Sequence, residues 1–341
     1  MTRRPRVGRS RLVAATVLAG LMLPAGCAAS GGDSGPSSSA ATASSRATST
    51  RTSTGSPTAT SDTPSTGAPT GTRSSAPAAS EPRACTIAAA GDIAGEDFRD
   101  GAARTASLIR DRRPRAVVAV GDTAYDEGSS ENYADYYDPT WGAFKDITFP
   151  VPGNHEYDTS DGKGFAEYFG EQALSNRGVE ICGWRVLLVN EYEGVDAGAQ
   201  FIAQQARTRP GVPFVVVWHQ PRFSSGDEHG SDPDMKPLWE AAAAARAPIV
   251  LNGHDHDYER FAPLDAAGNP AAGGTTEFVT GLGGHHIRGF GDIEAGSEVR
   301  FTGTPAVLFL TLRHGGYSWE ERAVDGRLVD RGTATVPSLS P

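Results

Sequence analysis

Beyond residue 84 the chain is built from short apolar runs, most of them closed at once by a polar residue, with amphipathic stretches between them. Residues 86–90, 116–120, 149–152, 184–190, 213–218 and 249–252 are too short for apolar helices, and their composition suits buried strands. Helical patterns occupy 102–110, 199–207 and the Ala-rich stretch 238–246. Strands that alternate with helices predict α/β layering, with largely parallel strands buried on both faces. After residue 276 the pattern changes. Residues 277–280, 306–312 and 317–324 read as strands with no helix between them, which predicts a second, mixed sheet. The expected fold class is α/β, a two-sheet β-sandwich flanked by helices in four layers.

The first 82 residues are different in kind. Residues 30–82 are mostly Ser, Thr, Ala, Gly and Pro. So few large apolar side chains cannot bury enough surface to offset the entropy of ordering, and the segment reads as an extended tether. Ahead of it, Arg3, Arg4, Arg6, Arg9 and Arg11 precede an apolar stretch, 12–23, that is short for a membrane span and has the layout of an export signal. Ala25-Gly26-Cys27 resembles the close of a bacterial lipoprotein signal, with Pro24 where an apolar residue is usual. Lipidation of Cys27 and simple secretion are both open. The expected organisation is a signal segment over 1–29, a disordered tether over 30–82 and a folded domain over 83–335. The expected location is outside the cell, as a surface lipoprotein or a secreted protein. Cys85 and Cys182 then remain as a pair in an oxidising compartment, which predicts one disulfide.

Charge narrows the partners. Residues 1–82 hold eight Arg against Asp33, Asp62 and Glu81, a net +5, whereas the remainder holds 23 basic and 38 acidic residues, a net −15. A domain this acidic offers no broad surface to nucleic acid, so a site for phosphate must supply its positive charge locally.

Five of the apolar runs end on a residue able to bind a metal: Asp92, Asp122, Asn154, His219 and His254, four of them directly after Gly. Ligands of α/β sheets collect beyond the carboxyl ends of strands, so five such ends can meet at one point, and the Gly before four of them would let the backbone turn. One Gly-Asp is usually a turn, and one buried His is usually a satisfied core residue. Hard oxygen donors mixed with imidazoles suit iron, zinc or manganese.

Gly91-Asp92, Gly121-Asp122-Thr123-Ala124-Tyr125, Gly153-Asn154-His155-Glu156, the run ending Trp218-His219, and Gly253-His254-Asp255-His256 resemble, in order, the motif blocks of the calcineurin-like metallophosphoesterases. Tyr125, three residues after the second Asp, and Asp257-Tyr258-Glu259-Arg260 resemble the purple acid phosphatase branch. The first block departs from that branch, with Gly95 one place later than usual. The resemblance implies one metal held by Asp92, Asp122, Tyr125 and His256, and another held by Asp122, Asn154, His219 and His254, with Asp122 bridging. It implies Fe(III) at the tyrosine site beside a divalent Fe, Zn or Mn. Asp92, Asp122 and an ionised Tyr125 offset only three of the five positive charges of such a pair, leaving a cationic centre in an acidic domain.

The resemblance also implies that His155 contacts phosphate or its attacking hydroxide, and that His229, next to Glu228, faces substrate and donates a proton to the leaving group. Glu228-His229 as an ordinary solvated loop is an equal alternative. Arg260 and Glu259 are expected to pair structurally, and no role is assigned to His285-His286. The function implied is an exported binuclear-metal phosphatase for small phosphate monoesters, acting through metal-bound hydroxide. The alternatives are a phosphodiesterase or nucleotide hydrolase on the same site, and a tethered phosphate-binding protein without turnover. A membrane contact is expected only through a lipid at Cys27.

Overall fold

The computed structural model describes residues 84–336 apart from residue 159; the expected signal segment, the tether and Cys27 lie outside the described residues. Thirteen strands are described: β1 (Cys85–Ala90), β2 (Ala116–Val120), β3 (Thr148–Val151), β4 (Arg177–Ile181), β5 (Trp184–Leu188), β6 (Phe214–Val217), β7 (Ile249–Asn252), β8 (Tyr258–Phe261), β9 (Thr276–Thr280), β10 (Ser297–Phe301), β11 (Ala306–Arg313), β12 (Gly316–Ala323) and β13 (Leu328–Thr335). They form a six-stranded sheet ordered β13-β12-β11-β1-β2-β3 and a seven-stranded sheet ordered β10-β8-β9-β7-β6-β5-β4.

Period-two alternation explains the layers. On β1, Ile87 and Ala89 face the space between the sheets, with Val118, Leu308 and Leu310 from the same sheet and Val215, Val217, Leu251 and Phe278 from the other. Ala88 and Ala90 face outward onto Ala102, Ala106 and Ile109 of the helix Arg99–Arg112 and onto Tyr133, Tyr137 and Trp141. On the other sheet, Leu187, Val216 and Val250 face outward onto Ile202 of the helix Val195–Thr208 and onto Leu238 and Trp239 of the helix Lys236–Ala244. Central strands therefore bury both faces, which is why their sequences are apolar at every position.

One expectation is corrected. The late strands do not make a sheet of their own. β11 pairs antiparallel with β1, and β12 and β13 extend that first sheet. The second sheet is instead centred on the parallel strands β5, β6, β7 and β9. A strand's sequence records that it is buried, and the chain path decides which sheet receives it.

Cys85 and Cys182 are disulfide-bonded, with Cα atoms 5.8 Å apart. Cys182 and Gly183, both at positive φ (55° and 78°), form the two-residue turn between β4 and β5, so the bond ties the start of β1 to a hairpin of the other sheet. It joins residues 97 apart. Replacing both cysteines by Ser is expected to lower the unfolding free energy by about 2–5 kcal/mol. Urea denaturation checks this, and an unchanged midpoint would show that the two sheets need no such tie.

Candidate metal centre

The five expected strand ends come together where the carboxyl ends of the two sheets meet. Asp92 follows β1, Asp122 follows β2, and Asn154 opens a short helical turn after β3; His219 follows β6 by one residue and His254 follows β7. Backbone hydrogen bonds lock the loops to each other: Ile93 N donates to Asp122 O (3.0 Å), Gly253 N to His219 O (2.9 Å), and His285 N to Asp92 O (2.9 Å).

The glycines act otherwise than the motif suggests. The left-handed conformation falls on the candidate ligands themselves, Asp92 (φ 61°), Asp122 (φ 47°) and His254 (φ 70°). Of the four preceding glycines only Gly121 shares it (φ 83°). Gly153 is needed for close approach, because a Cβ there would stand 2.1 Å from Asp122 Oδ1. Non-glycine residues at positive φ cost roughly 1–3 kcal/mol each and gather at functional sites. Gly95, the displaced glycine of the first block, leaves room for two rings. A Cβ on it would lie 3.1 Å from Tyr125 Cβ and 3.4 Å from His285 Cδ2.

Around Tyr125 four donors crowd together. Its hydroxyl donates to Asp92 Oδ1 (2.9 Å) and Asp122 Oδ2 (3.1 Å), and His256 Nε2 lies 3.1 Å from it. His256 Nε2 is also 3.2 Å from Asp92 Oδ1. Burial and the Asp122 and Asp92 carboxylates push the phenol well above its ordinary pKa. On the other side, His219 Nε2 lies 3.2 Å from Asp122 Oδ2, and Asp122, His219 and His254 bring ligand atoms within 4.8 Å of one another. His219 Nδ1 contacts Val120 O (2.8 Å) and His256 Nδ1 contacts His286 O (2.8 Å), so each ring turns Nε2 into the site. Carbonyls that engage the far nitrogen fix a ligating imidazole in tautomer and direction.

Two buried atoms here lack a hydrogen-bond partner, His219 Nε2 and Asn154 Oδ1. The first lies close to Asp122 without hydrogen-bond geometry. Burial pushes the His219 imidazole pKa down, but Asp122 outweighs this and raises it to about 10. The same contact, against desolvation, holds Asp122 well below the usual carboxylate range. A carboxylate and an imidazole so placed hold one proton between them, and a metal cation can take the place of that proton. The orphaned atoms, the mixed oxygen and nitrogen donors and the carbonyl-anchored rings fit a pair of metal ions.

The remaining expected residues lie at the rim. His155 N donates to Asp122 Oδ1 (3.0 Å), and its Nε2 stands 3.9 Å from Asp122 Oδ2. His229 stacks on His254, ring centres 4.0 Å apart, and its Nε2 meets Arg288. Glu259 and Arg260 do not pair with each other. Glu259 accepts from Ser225 N (2.7 Å) and Ser225 Oγ (2.6 Å), and Arg260 Nε holds Asp330 at 2.7 Å.

Sequence reading missed three contributors. Glu156, named only as part of a motif, is buried and accepts from Asp122 N (2.9 Å), Thr123 N (2.8 Å) and Gly153 N (2.7 Å), binding the second and third strand-end loops together. His285 stacks on Tyr125 at 3.7 Å, and with His286 and His256 brings ligand atoms within 4.8 Å of one another. Arg288 closes the rim. The signal for the last two was a His-His pair in a Gly-rich loop leaving a strand.

The chain is 27% identical over 208 residues to purple acid phosphatase 21 of Arabidopsis thaliana, covering 52% of this chain and 45% of that protein. It is 25% identical over 162 residues to probable purple acid phosphatase 20 of the same plant, 38% of each. The match thus spans less than half the length of these relatives. Among solved structures, a purple acid phosphatase from yellow lupin (Lupinus luteus) seeds superposes with a TM-score of 0.58 at 18% identity, over 74% of this chain and 54% of that one. The GAP50 anchor of the Plasmodium inner membrane complex gives 0.57 at 14% identity, over 74% and 89%. A dimetal phosphatase from Danio rerio gives 0.52 at 12% identity, over 74% and 98%. These structures share the fold. Residues 85–258, which run from β1 through His219, His254 and His256, match the calcineurin-like phosphoesterases, and the chain belongs to that family.

Proposed function

We propose that this protein is an exported phosphatase that hydrolyses small phosphate monoesters at a binuclear metal centre. The family implies a dinuclear centre, and the observation that carries the reading is the gathering of seven donors at five strand ends. Asp92, Asp122, Tyr125 and His256 would hold one ion; Asp122, Asn154, His219 and His254 would hold the other. Two ions held there would supply Lewis acidity, to polarise phosphoryl oxygens and to acidify water.

The chain's own groups do the rest. Asp122 stays ionised between the two donor sets. His155, 29% exposed and beside Asp122, is within reach of a phosphoryl oxygen and can donate a hydrogen bond to it. His229, over His254, stands where a leaving group would emerge. Burial and the Arg288 charge lower its pKa, so the proton it lends comes most readily at acid pH. The disulfide and the arginine-led N-terminus support export, and every expected ligand lies outside the tether.

Tyr125 points to trivalent iron, because a phenolate is a hard anionic donor. Aerobically purified protein is expected to contain iron and to absorb in the visible through tyrosinate-to-iron charge transfer. Tyr125→Phe should abolish that band and lower the ratio of iron to divalent metal. Metal analysis with an absorption spectrum and an aryl phosphate assay tests the proposal. An iron-loaded, oxidised sample without a band would overturn the tyrosinate assignment, and no turnover at any metal loading would overturn the phosphatase.

A further inference from the structure

Beyond the expected ligands, two loops form a wall at the mouth of the site. Loop 223–231 follows β6 and loop 284–291 follows β9. They are joined by Asp227 N to Gly289 O (3.1 Å) and Gly291 N to Ser225 O (2.8 Å). Arg288 N donates to the carbonyl of His256 (3.1 Å), which fixes the wall to a candidate ligand. The Arg288 guanidinium reaches across this mouth. One arm meets His229, whose ring lies 4.0 Å from that of His254. Its Nε lies 2.9 Å from Nε2 of His286, whose ring lies 4.6 Å from that of His256. The charge therefore stands one imidazole outward from a candidate ligand of each ion. Exposure rises in the same direction. His256 is buried, the Arg288 side chain is 14% exposed, and the side chain of Glu228, 2.8 Å from Arg288 Nε, is 56% exposed.

We propose that Arg288 is a specificity-determining residue that receives a second anionic group of the substrate, a phosphoryl or carboxylate joined to the scissile phosphate by a short leaving group, with Glu228 as the occupant it displaces. This rests on the reading of the site as a phosphoester hydrolase. The guanidinium is a layer too far out for the phosphoryl group between the ions, and suitably placed for what is attached to it. Its planar fork matches two oxygens of a carboxylate or phosphate. A mostly exposed carboxylate loses little on swinging into water, so Glu228 can give way. His286 Nε2 accepts from the Arg288 Nε–H and helps to hold the guanidinium plane, since Arg has no acceptor of its own.

The test uses the full-length, metal-loaded protein with phenyl phosphate, phosphoglycolate and a nucleoside diphosphate. Arg288→Gln is expected to lower kcat/KM for the two substrates that carry a second anionic group, relative to phenyl phosphate, by about tenfold or more, chiefly through KM. Glu228→Gln is expected to raise the same ratio. Phosphoglycolate and the diphosphate report separately on carboxylate and phosphoryl. Ratios unmoved in both variants, with all three substrates still turned over, would overturn the proposal and leave the hydrolase reading standing. Calorimetric affinities for pyrophosphate and inorganic phosphate give a readout without turnover. A pyrophosphate preference that Arg288→Gln removes, in a protein that hydrolyses no ester, would support the anion site and sink the hydrolase.

Discussion

His219→Ala should reduce kcat/KM for an aryl phosphate by at least about a thousandfold, of the order of the several kcal/mol a catalytic metal contributes. The imidazole is fully buried after β6, with Nδ1 held by the Val120 carbonyl and Nε2 facing Asp122 without a hydrogen-bond partner. Alanine removes one of four candidate donors to the second ion and leaves Asp122 without its imidazole. Asn154→Ala withdraws a donor to the same ion from another strand end, outside the inter-sheet core. If both residues act through that ion, the double variant should cost little more than His219→Ala alone, because residues that act as a unit are not additive. Steady-state rates at saturating metal decide this. Near-normal turnover in His219→Ala would mean that the strand ends are not the metal site.

Glu156→Gln should destabilise the fold by about 3 kcal/mol, a large loss for a substitution that changes one atom. Oε2 accepts from Asp122 N and Gly153 N; Oε1 accepts from Thr123 N, from Thr123 Oγ1 (2.9 Å) and from the Tyr133 hydroxyl (3.1 Å). Both oxygens are surrounded by donors. An amide must turn its NH2 toward one of these sets, which puts donor against donor in a buried place. Burial, then Asp122, raises the pKa of the carboxyl, while the Gly153 and Thr123 amides oppose that rise. Asp122 sits at positive φ in the loop that Glu156 holds, so the variant should also bind metal more weakly. Guanidinium denaturation and a metal titration check the two effects; a denaturation midpoint equal to that of the wild type would show that the loops hold without this carboxylate.

Much of this site is legible in the linear chain because buried parallel strands advertise themselves. Val118, Val216 and Val250 sit among apolar neighbours on both sides, so the run has a clear end, and the first polar residue beyond it lies at the sheet's carboxyl edge. Other elements were quiet. β10, Ser297–Phe301, lies at a sheet edge and is nowhere fully buried, and β4 is little different. Arg177 and Glu180 interrupt β4, because an edge strand with one half-wet face needs no apolar run. The helix Lys163–Phe169 is only seven residues long, too short for its period to emerge.

The sequence by itself determined the α/β class with two sheets and flanking helices, the strand ends that carry candidate donors and the cysteine pair, since each follows from local burial or residue chemistry. The tertiary structure alone decided that β11 to β13 complete the sheet of β1, that the strain at Asp92, Asp122 and His254 lies on the candidate ligands, and that Glu156, His285 and Arg288 stand against the site. Those facts depend on which segments meet after the chain has turned back on itself. Residues 288 and 229 are far apart along the chain, and no local pattern encodes that their side chains touch.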